Sequence, residues 1–322
     1  MFNSYWYLAL FMGIFRQYVC QIIVKPVFVN ESSLIPRIVN GYPAALGDIP
    51  YQLSFKQRYS RHSKVYDTFC GGSIIAPSKL VSAAHCFDHN KKSGCFTETI
   101  TKEVGVYFAV AGTLVSKERY RPQDNPSGAQ WRRLKNVIYP SGYDFPEHDV
   151  AVVTTLRPFV FNAHIAPIPF AKRWRDYRGE CVASGFGLIS HIPEIDSSKL
   201  MIAKLELVPS YWCSKKLSAD MKTFVCTSGV KTDVGKGDSG GPLVCAGTGE
   251  KSEGPNGILV GIACANILKR SIGGSIFTRT STYTRFIDKN EANSSTFMFF
   301  YYYFIIFVHC LHYLCILFLP CT

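Results

Sequence analysis

Short apolar runs, rather than a helical period, organise most of this chain. Residues 72–75, 150–153 and 242–245 are examples, and Gly, Pro and polar residues lie between such runs. This pattern is typical of β-strands that are joined by turns and loops. A helical period is evident only in residues 283–290. The pattern therefore predicts an all-β domain with long surface loops that ends in a short helix.

The end of the chain departs from this pattern. Residues 297–319, "FMFFYYYFIIFVHCLHYLCILFL", contain no Asp, Glu, Lys or Arg. A helix over these 23 residues would be about 35 Å long, which is enough to cross a bilayer. We therefore interpret residues 291–322 as a hydrophobic tail that anchors the protein in a membrane. The alternative is a weakly selected sequence with no such role.

Composition points to an exported protein. The chain of 322 residues is long enough to bury a large core, and its 12 cysteines indicate an oxidising compartment. The net charge of +12 favours attraction to acidic surfaces. We interpret the densest basic groups, residues 131–135 and 172–178, as solvated loops. Because export separates the protein from DNA and RNA, no nucleic-acid partner is expected.

The segment "VGKGDSGGP", residues 234–242, places Ser239 among glycines directly before an apolar run. Glycine suits positions where another backbone approaches closely or where φ is positive. Ser239 is then either a nucleophile against which a substrate lies, or part of a tight turn before a strand. A nucleophilic serine needs a base, so the first interpretation requires a suitable histidine elsewhere.

Two further segments supply a base and an acid. His85 follows an apolar, β-rich stretch and precedes Cys86, so a disulfide from Cys70 to Cys86 would hold His85 rigidly at a strand end. Asp149, in "EHDVAVV", comes directly before an apolar strand and is expected at its buried edge. An Asp at a strand start is often only a turn former, so each motif is ambiguous by itself.

With its motifs in the order His85, Asp149, Ser239, this chain resembles the trypsin/chymotrypsin family of serine proteases. The resemblance runs from "RIVNG" to about residue 288 and includes "SGFG" and "TRT". It implies two packed six-stranded antiparallel β-barrels with the catalytic residues in the cleft between them, followed by a short C-terminal helix.

The resemblance also implies a mechanism. Ser239 would attack the scissile carbonyl, His85 would take and return its proton, and Asp149 would orient the imidazole. The backbone N–H groups of Gly237 and Ser239 would form the oxyanion hole. No metal or organic cofactor is expected, and the expected partners are protein or peptide substrates and protein inhibitors.

The resemblance places Asp233, six residues before Ser239, at the floor of the specificity pocket. This predicts cleavage after Arg or Lys. Asn266 and Ser275 stand near positions where the family usually has glycines, so they are expected to contact the substrate and narrow the pocket. The alternative is that Asp233 is a solvated loop acid and that the pocket is closed.

Activation of a precursor is implied as well. Another trypsin-like protease would cut after Arg37, and the freed amine of Ile38 would pair with Asp238. Secretion and the family pattern together divide the rest of the chain: residues 1–24 are expected to be a signal peptide, 25–37 a propeptide with an Asn-Glu-Ser glycosylation site, and 38–290 the protease domain.

The family pattern pairs six of the cysteines: Cys70 with Cys86, Cys181 with Cys245, and Cys213 with Cys226. The bridge that usually braces the specificity pocket is absent, because Gly235 stands at one of its positions. Cys95 and Cys264 remain, and they are either bonded to each other or free thiols.

A non-catalytic homologue that acts as a binding or regulatory module is the alternative function. Residues 264–266 read Cys-Ala-Asn, where the family normally has Ser-Trp-Gly, and that serine normally helps to hold the triad acid. A different class of Ser-His-Asp hydrolase would need a G-x-S-x-G elbow followed by its Asp and His, and this arrangement is not found.

Overall fold

Two six-stranded antiparallel β-barrels make up the protein. The structure is a computed structural model, and it describes residues 41–60, 62–88, 107–120, 124, 128–191, 194–229, 233–235, 237–267 and 273–289. The expected signal peptide, propeptide and hydrophobic tail lie outside these residues, as do Arg37, Ile38 and Cys95. Within the described part of the chain, no helix has the length and apolar composition needed to cross a bilayer.

The first barrel comes from the first half of the chain. Its strands follow the order β2-β5-β7-β8-β4-β3, and pairing between β2 and β3 closes it. The strands are β2 (Gln52–Arg58), β3 (Val65–Ala76), β4 (Lys79–Ser82), β5 (Phe108–Ala111), β7 (Gln130–Ile138) and β8 (Ala151–Thr155), and the short β6 (Glu118–Arg119) pairs with β3.

The second barrel follows the order β12-β13-β16-β15-β14-β9 and is closed by pairing between β12 and β9. Its strands are β9 (Glu180–Gly185), β12 (Met201–Val208), β13 (Phe224–Thr227), β14 (Pro242–Cys245), β15 (Ile258–Ile267) and β16 (Gly274–Arg279). A separate hairpin consists of β10 (Leu188–His191) and β11 (Glu194–Asp196). The predicted all-β fold with two six-stranded barrels is thus confirmed.

Both chain ends of the domain cross to the opposite barrel. The short β1 (Tyr42–Pro43) pairs with β12 of the second barrel. At the other end, a 3₁₀-helix (Thr280–Tyr283) leads into a short α-helix (Thr284–Lys289), and Tyr283 and Ile287 are buried in the core of the first barrel. The first crossing joins the barrels by strand pairing and the second by burial of apolar side chains, so both hold the two halves together.

An earlier α-helix, α1 (Ser210–Leu217), was not predicted from the sequence. Only Ser210 and Cys213 of this helix are buried, so it carries no apolar stripe that a periodic pattern would reveal. The disulfide from Cys213 to Cys226 ties it to β13 instead.

The interpretation of residues 131–135 as a solvated loop is wrong, because these residues belong to β7. Trp131 and Arg132 are both buried. The Arg132 guanidinium donates hydrogen bonds to both carboxylate oxygens of Asp124, at 2.7 and 3.0 Å, and to Gln130. A buried arginine with this many partners is a structural group, since its charge and its donors are satisfied within the protein.

Candidate active site

His85 lies at the edge of the first barrel, directly after β4. A 3₁₀-helix (Ala84–Cys86) presents it, and the Cys70–Cys86 disulfide ties this turn to β3. A quarter of the imidazole surface is exposed, so the ring is fixed on one side and open to the cleft on the other.

Asp149 is fully buried and holds His85 by two hydrogen bonds. Its Oδ1 accepts the backbone N–H of His85 at 2.9 Å, and its Oδ2 lies 2.7 Å from Nδ1 of the imidazole. His148, with a φ of 58°, turns the chain immediately before Asp149. A carboxylate at this distance accepts a hydrogen bond from the N–H at Nδ1, so the proton of the neutral imidazole stays on Nδ1 and Nε2 is the free acceptor that a general base requires.

Two side chains that surround this pair complete its environment. The ring of Phe145 packs edge-on against the imidazole, with 5.4 Å between the centroids. Cys264 is a buried free thiol close to Asp149. Burial, together with the charge of Asp149 and a hydrogen bond to it, raises the pKa of the Cys264 thiol well above its usual value. The thiol therefore stays protonated, and its Sγ donates to the carbonyl of Pro146 at 3.8 Å, three residues before Asp149.

Ser239 lies in a loop that is held against both barrels. Its carbonyl accepts the N–H of Gly71 at 2.8 Å, and the N–H of the next residue, Gly240, donates to Ala263 in β15. Gly240 has a φ of +76°, and a side chain there would come within 2.2 Å of the Ser82 hydroxyl. Since Ser82 ends β4, three residues before His85, glycine at position 240 lets the loop approach the strand that carries the histidine.

The segment that contains Gly237 and Ser239 is built around the buried carboxylate of Asp238. This carboxylate accepts the N–H groups of Gly187 and Gly235, each at 2.7 Å. Burial raises the pKa of Asp238 from 3.8 to about 6, although these two hydrogen bonds oppose the shift. Gly237 has a φ of +98°, and a side chain there would meet Gly187. No ion pair of Asp238 is present among the residues that the structure describes.

Asp233 is 2% exposed and lies on the second barrel beside the loop of Ser239. Its Oδ1 accepts the N–H of Val234 at 2.9 Å and the hydroxyl of Ser275. Asn266 pairs with Ser275 across β15 and β16 and donates through Nδ2 to the carbonyl of Val234 at 2.8 Å. The side chain of Asn266 therefore bridges β15 to the segment that carries Asp233.

These distances bring most of the predicted residues together. The structure joins His85 to Asp149, and Asp233 to Asn266 and Ser275, as the sequence patterns suggested, and it contains the three predicted disulfides. Sequence reasoning missed Phe145, for which the chain offers no signal beyond its closeness to Asp149. Donor atoms of Cys70, His85 and Cys86 lie within 4.8 Å of one another. The two sulfurs are bonded to each other, so this group offers no thiolate to a metal.

Comparison with known proteins agrees with this geometry. Residues 38–287 match the family model described as Trypsin. Among curated proteins, the chain is 29% identical over 255 residues to transmembrane protease serine 9 from Rattus norvegicus and 30% identical over 270 residues to ovochymase from Halocynthia roretzi. It is 26% identical over 217 residues to serine protease 1 from Canis lupus familiaris.

The extent of these matches differs. The alignments cover 77%, 81% and 66% of this chain, respectively. They cover only 21% of the rat protein and 15% of the ascidian protein, but 76% of the canine protein. The chain thus spans a small part of the first two relatives and most of the third.

Proposed function

This chain belongs to the trypsin family of serine proteases, and we propose that it is an active endopeptidase that works through an acyl-enzyme intermediate. The pair of hydrogen bonds from His85 to Asp149 carries this proposal. A protein that only binds would not need a fully buried carboxylate that fixes both the backbone and the ring of one histidine.

In the proposed reaction, Oγ of Ser239 attacks the carbonyl carbon of the scissile bond while Nε2 of His85 takes the hydroxyl proton. The N–H groups of Gly237 and Ser239 donate to the oxyanion that forms. Collapse of this intermediate breaks the C–N bond, and His85 returns the proton to the leaving amine. Water then repeats the sequence and releases the acid from Ser239.

Covalent labelling tests this activity directly. The precursor is cut after Arg37, with the cut verified by N-terminal sequencing, and is then incubated with a fluorophosphonate. We expect one modification, at Ser239, since only a serine with an activated hydroxyl reacts rapidly with such a reagent. The matched control is Ser239→Ala, which should remain unlabelled. A processed, disulfide-bonded protein that shows no modification at Ser239 would favour the non-catalytic alternative.

We further propose that the enzyme cleaves after Arg and, less readily, after Lys. Asp233 is almost fully buried, so a substrate guanidinium would gain a charge-assisted contact there. Ser275 and Asn266 occupy part of the same space and already bond to Asp233 and Val234. We therefore expect slower cleavage than by a digestive trypsin.

The substitution Asp233→Ser is expected to lower kcat/KM for Arg substrates at least a hundredfold. Without Asp233, the buried guanidinium of the substrate has no partner charge, which costs about 3 to 5 kcal/mol. This cost corresponds to a decrease in kcat/KM of roughly a hundred- to several-thousand-fold. Peptides that differ only in Arg, Lys, Phe or Leu before the cleaved bond provide the measurement. Asp220→Ser, at an exposed acid, is the control and should leave the ratios unchanged. Equal cleavage after Phe and Arg in the parent enzyme would contradict the proposed specificity.

A regulatory, non-catalytic role is the second candidate, because Cys264 and Asn266 replace residues that usually shape the cleft. The Cys264 thiol, which stays protonated beside Asp149, weakens this candidate, because a small neutral donor group still stands next to the acid. The labelling experiment separates the two functions.

We also propose that the domain works outside the cell, where its three disulfides are stable. Residues 1–24 would direct export, and residues 291–322 would hold the protein at a membrane. Carbonate extraction of the full chain tests the anchor, because recovery in the soluble fraction would argue against it.

A further inference from the structure

Three exposed aromatic side chains lie on or beside helix α1. Trp174, Tyr211 and Trp212 are 51%, 66% and 50% exposed. Trp174 and Tyr211 line one groove, together with Lys222 and Thr282, and the rings of Tyr211 and Trp212 touch edge to face. We call these three residues the aromatic face. Clustered exposed aromatics mark an interaction site more often than single ones do.

Two contacts hold the ring of Trp174 in its half-exposed position. Its indole N–H donates to the carbonyl of Lys222 at 3.0 Å. The buried guanidinium of Arg279 lies 5.0 Å from the ring centroid. The ring is therefore held in place while half of its surface faces solvent, as a docking surface requires.

Basic residues surround the aromatic face. The three segments that form its surroundings, residues 172–178, 210–223 and 281–289, contain nine Lys or Arg and three Asp. Two of the acids are paired with lysines, Asp288 with Lys172 at 3.0 Å and Asp220 with Lys222 at 3.9 Å. Lys215 lies 5.3 Å from the ring centroid of Trp212. The surface thus combines exposed indole and phenol rings with a net positive charge.

The last described residues of the chain lie beside this same surface. Asp288 is paired with Lys172, which lies two residues before Trp174. Seven residues, 290–296, connect the last described residue, Lys289, to the apolar segment 297–319. Such a connection spans at most about 25 Å. Any membrane that holds the apolar segment would therefore lie close to the aromatic face.

We propose that the aromatic face, with its surrounding lysines, docks on the surface of an anionic phospholipid membrane. Trp and Tyr side chains favour the boundary between headgroups and acyl chains, and each basic residue near an anionic surface contributes about 1 kcal/mol. A protein partner would match the rings but would not explain the link to the C-terminal segment. The inference rests on the proposed membrane anchor at residues 291–322 and does not depend on catalytic activity.

Tryptophan fluorescence of the full-length Ser239→Ala protein tests this inference without self-digestion. The protein is mixed with phosphatidylcholine vesicles, with and without phosphatidylserine, whose acyl chains carry bromine atoms close to the headgroups. Bromine quenches an indole only at short range. With Trp6 replaced by Phe in every protein tested, we expect a blue shift and strong quenching with phosphatidylserine, and a return to the level of the buried Trp131 in the variant that also carries Trp174→Phe and Trp212→Phe.

A charge variant and its matched control complete the test. Lys215→Gln/Lys216→Gln/Lys222→Gln should shift the equilibrium between the docked and undocked domain, measured by this quenching, on the order of 100-fold toward the undocked form. Lys117→Gln/Arg119→Gln/Lys135→Gln removes the same charge from exposed sites on the first barrel and should bind as the parent does. Vesicle binding without quenching of Trp174 and Trp212 would mean that the tail alone anchors the protein, and would overturn the inference. An equal loss of quenching in both triple variants would also overturn the inference.

Discussion

Replacement of Asp149 by Asn is expected to lower kcat about 10⁴-fold on an Arg-containing peptide substrate. The two hydrogen bonds from His85 explain why so small a change is so costly. An asparagine offers one acceptor oxygen, so when it accepts the backbone N–H of His85, its amide nitrogen faces Nδ1. That nitrogen donates, which forces the proton of the imidazole onto Nε2. The ring then cannot take the proton of Ser239.

Two further substitutions serve as controls for this result. Asp220→Asn removes the same charge at an exposed position and should leave kcat within about twofold of the parent, as surface changes usually do. Cys264→Ser keeps a donor beside Asp149 and should retain most of the activity. If Asp149→Asn kept more than a tenth of the parent kcat, with the same fold by circular dichroism, Asp149 would not orient the base. A wrong tautomer would also leave substrate binding nearly intact, so KM serves as a second readout.

The fold and the central residues could be predicted because local motifs fix them. Short apolar runs were enough to indicate an all-β domain, and the family resemblance carried by the order of His85, Asp149 and Ser239 implied two barrels with a cleft between them. The glycines around Ser239 carried information of the same kind, since Gly240 is needed for the approach to Ser82.

Features that depend on distant packing could not be predicted. Helix α1 lacks an apolar stripe, and Arg132 looks like any other exposed cation until Asp124 and Gln130 are placed beside it. The sequence pointed to Asn266 and Ser275 as pocket residues. Their bonds to Val234 and Asp233 follow only from the register of β15 and β16.

Asp238 is the residue through which we propose that activation acts on the electrostatics of the site. The carboxyl is fully buried, and burial raises its pKa from 3.8 in the unfolded chain to about 6 in the folded protein. The folded protein therefore holds this proton more tightly than the unfolded chain does. Below pH 3.8 the carboxyl is protonated in both the folded and the unfolded chain, so it does not affect stability. As the pH rises to about 6, the unfolded chain loses this proton first, and the free energy of unfolding falls by about 3 kcal/mol. An ammonium group placed beside the carboxylate would remove this cost.

An uncleaved Arg37→Gln precursor is therefore expected to be at least a hundredfold less active than the processed enzyme. Without the amine of Ile38, a charged Asp238 is buried without a cationic partner, at a cost of about 3 to 5 kcal/mol. This cost opposes the assembly of residues 237–239, which would form the oxyanion hole, at neutral pH. Arg37→Lys is the matched control, because a trypsin-like activator still cuts it and activity should follow. Denaturant unfolding of the processed and uncleaved forms checks the cause: the stability advantage of the processed form should grow between pH 4 and pH 7. An uncleaved precursor as active as the processed enzyme, or an advantage that stays constant with pH, would rule out this control by Asp238.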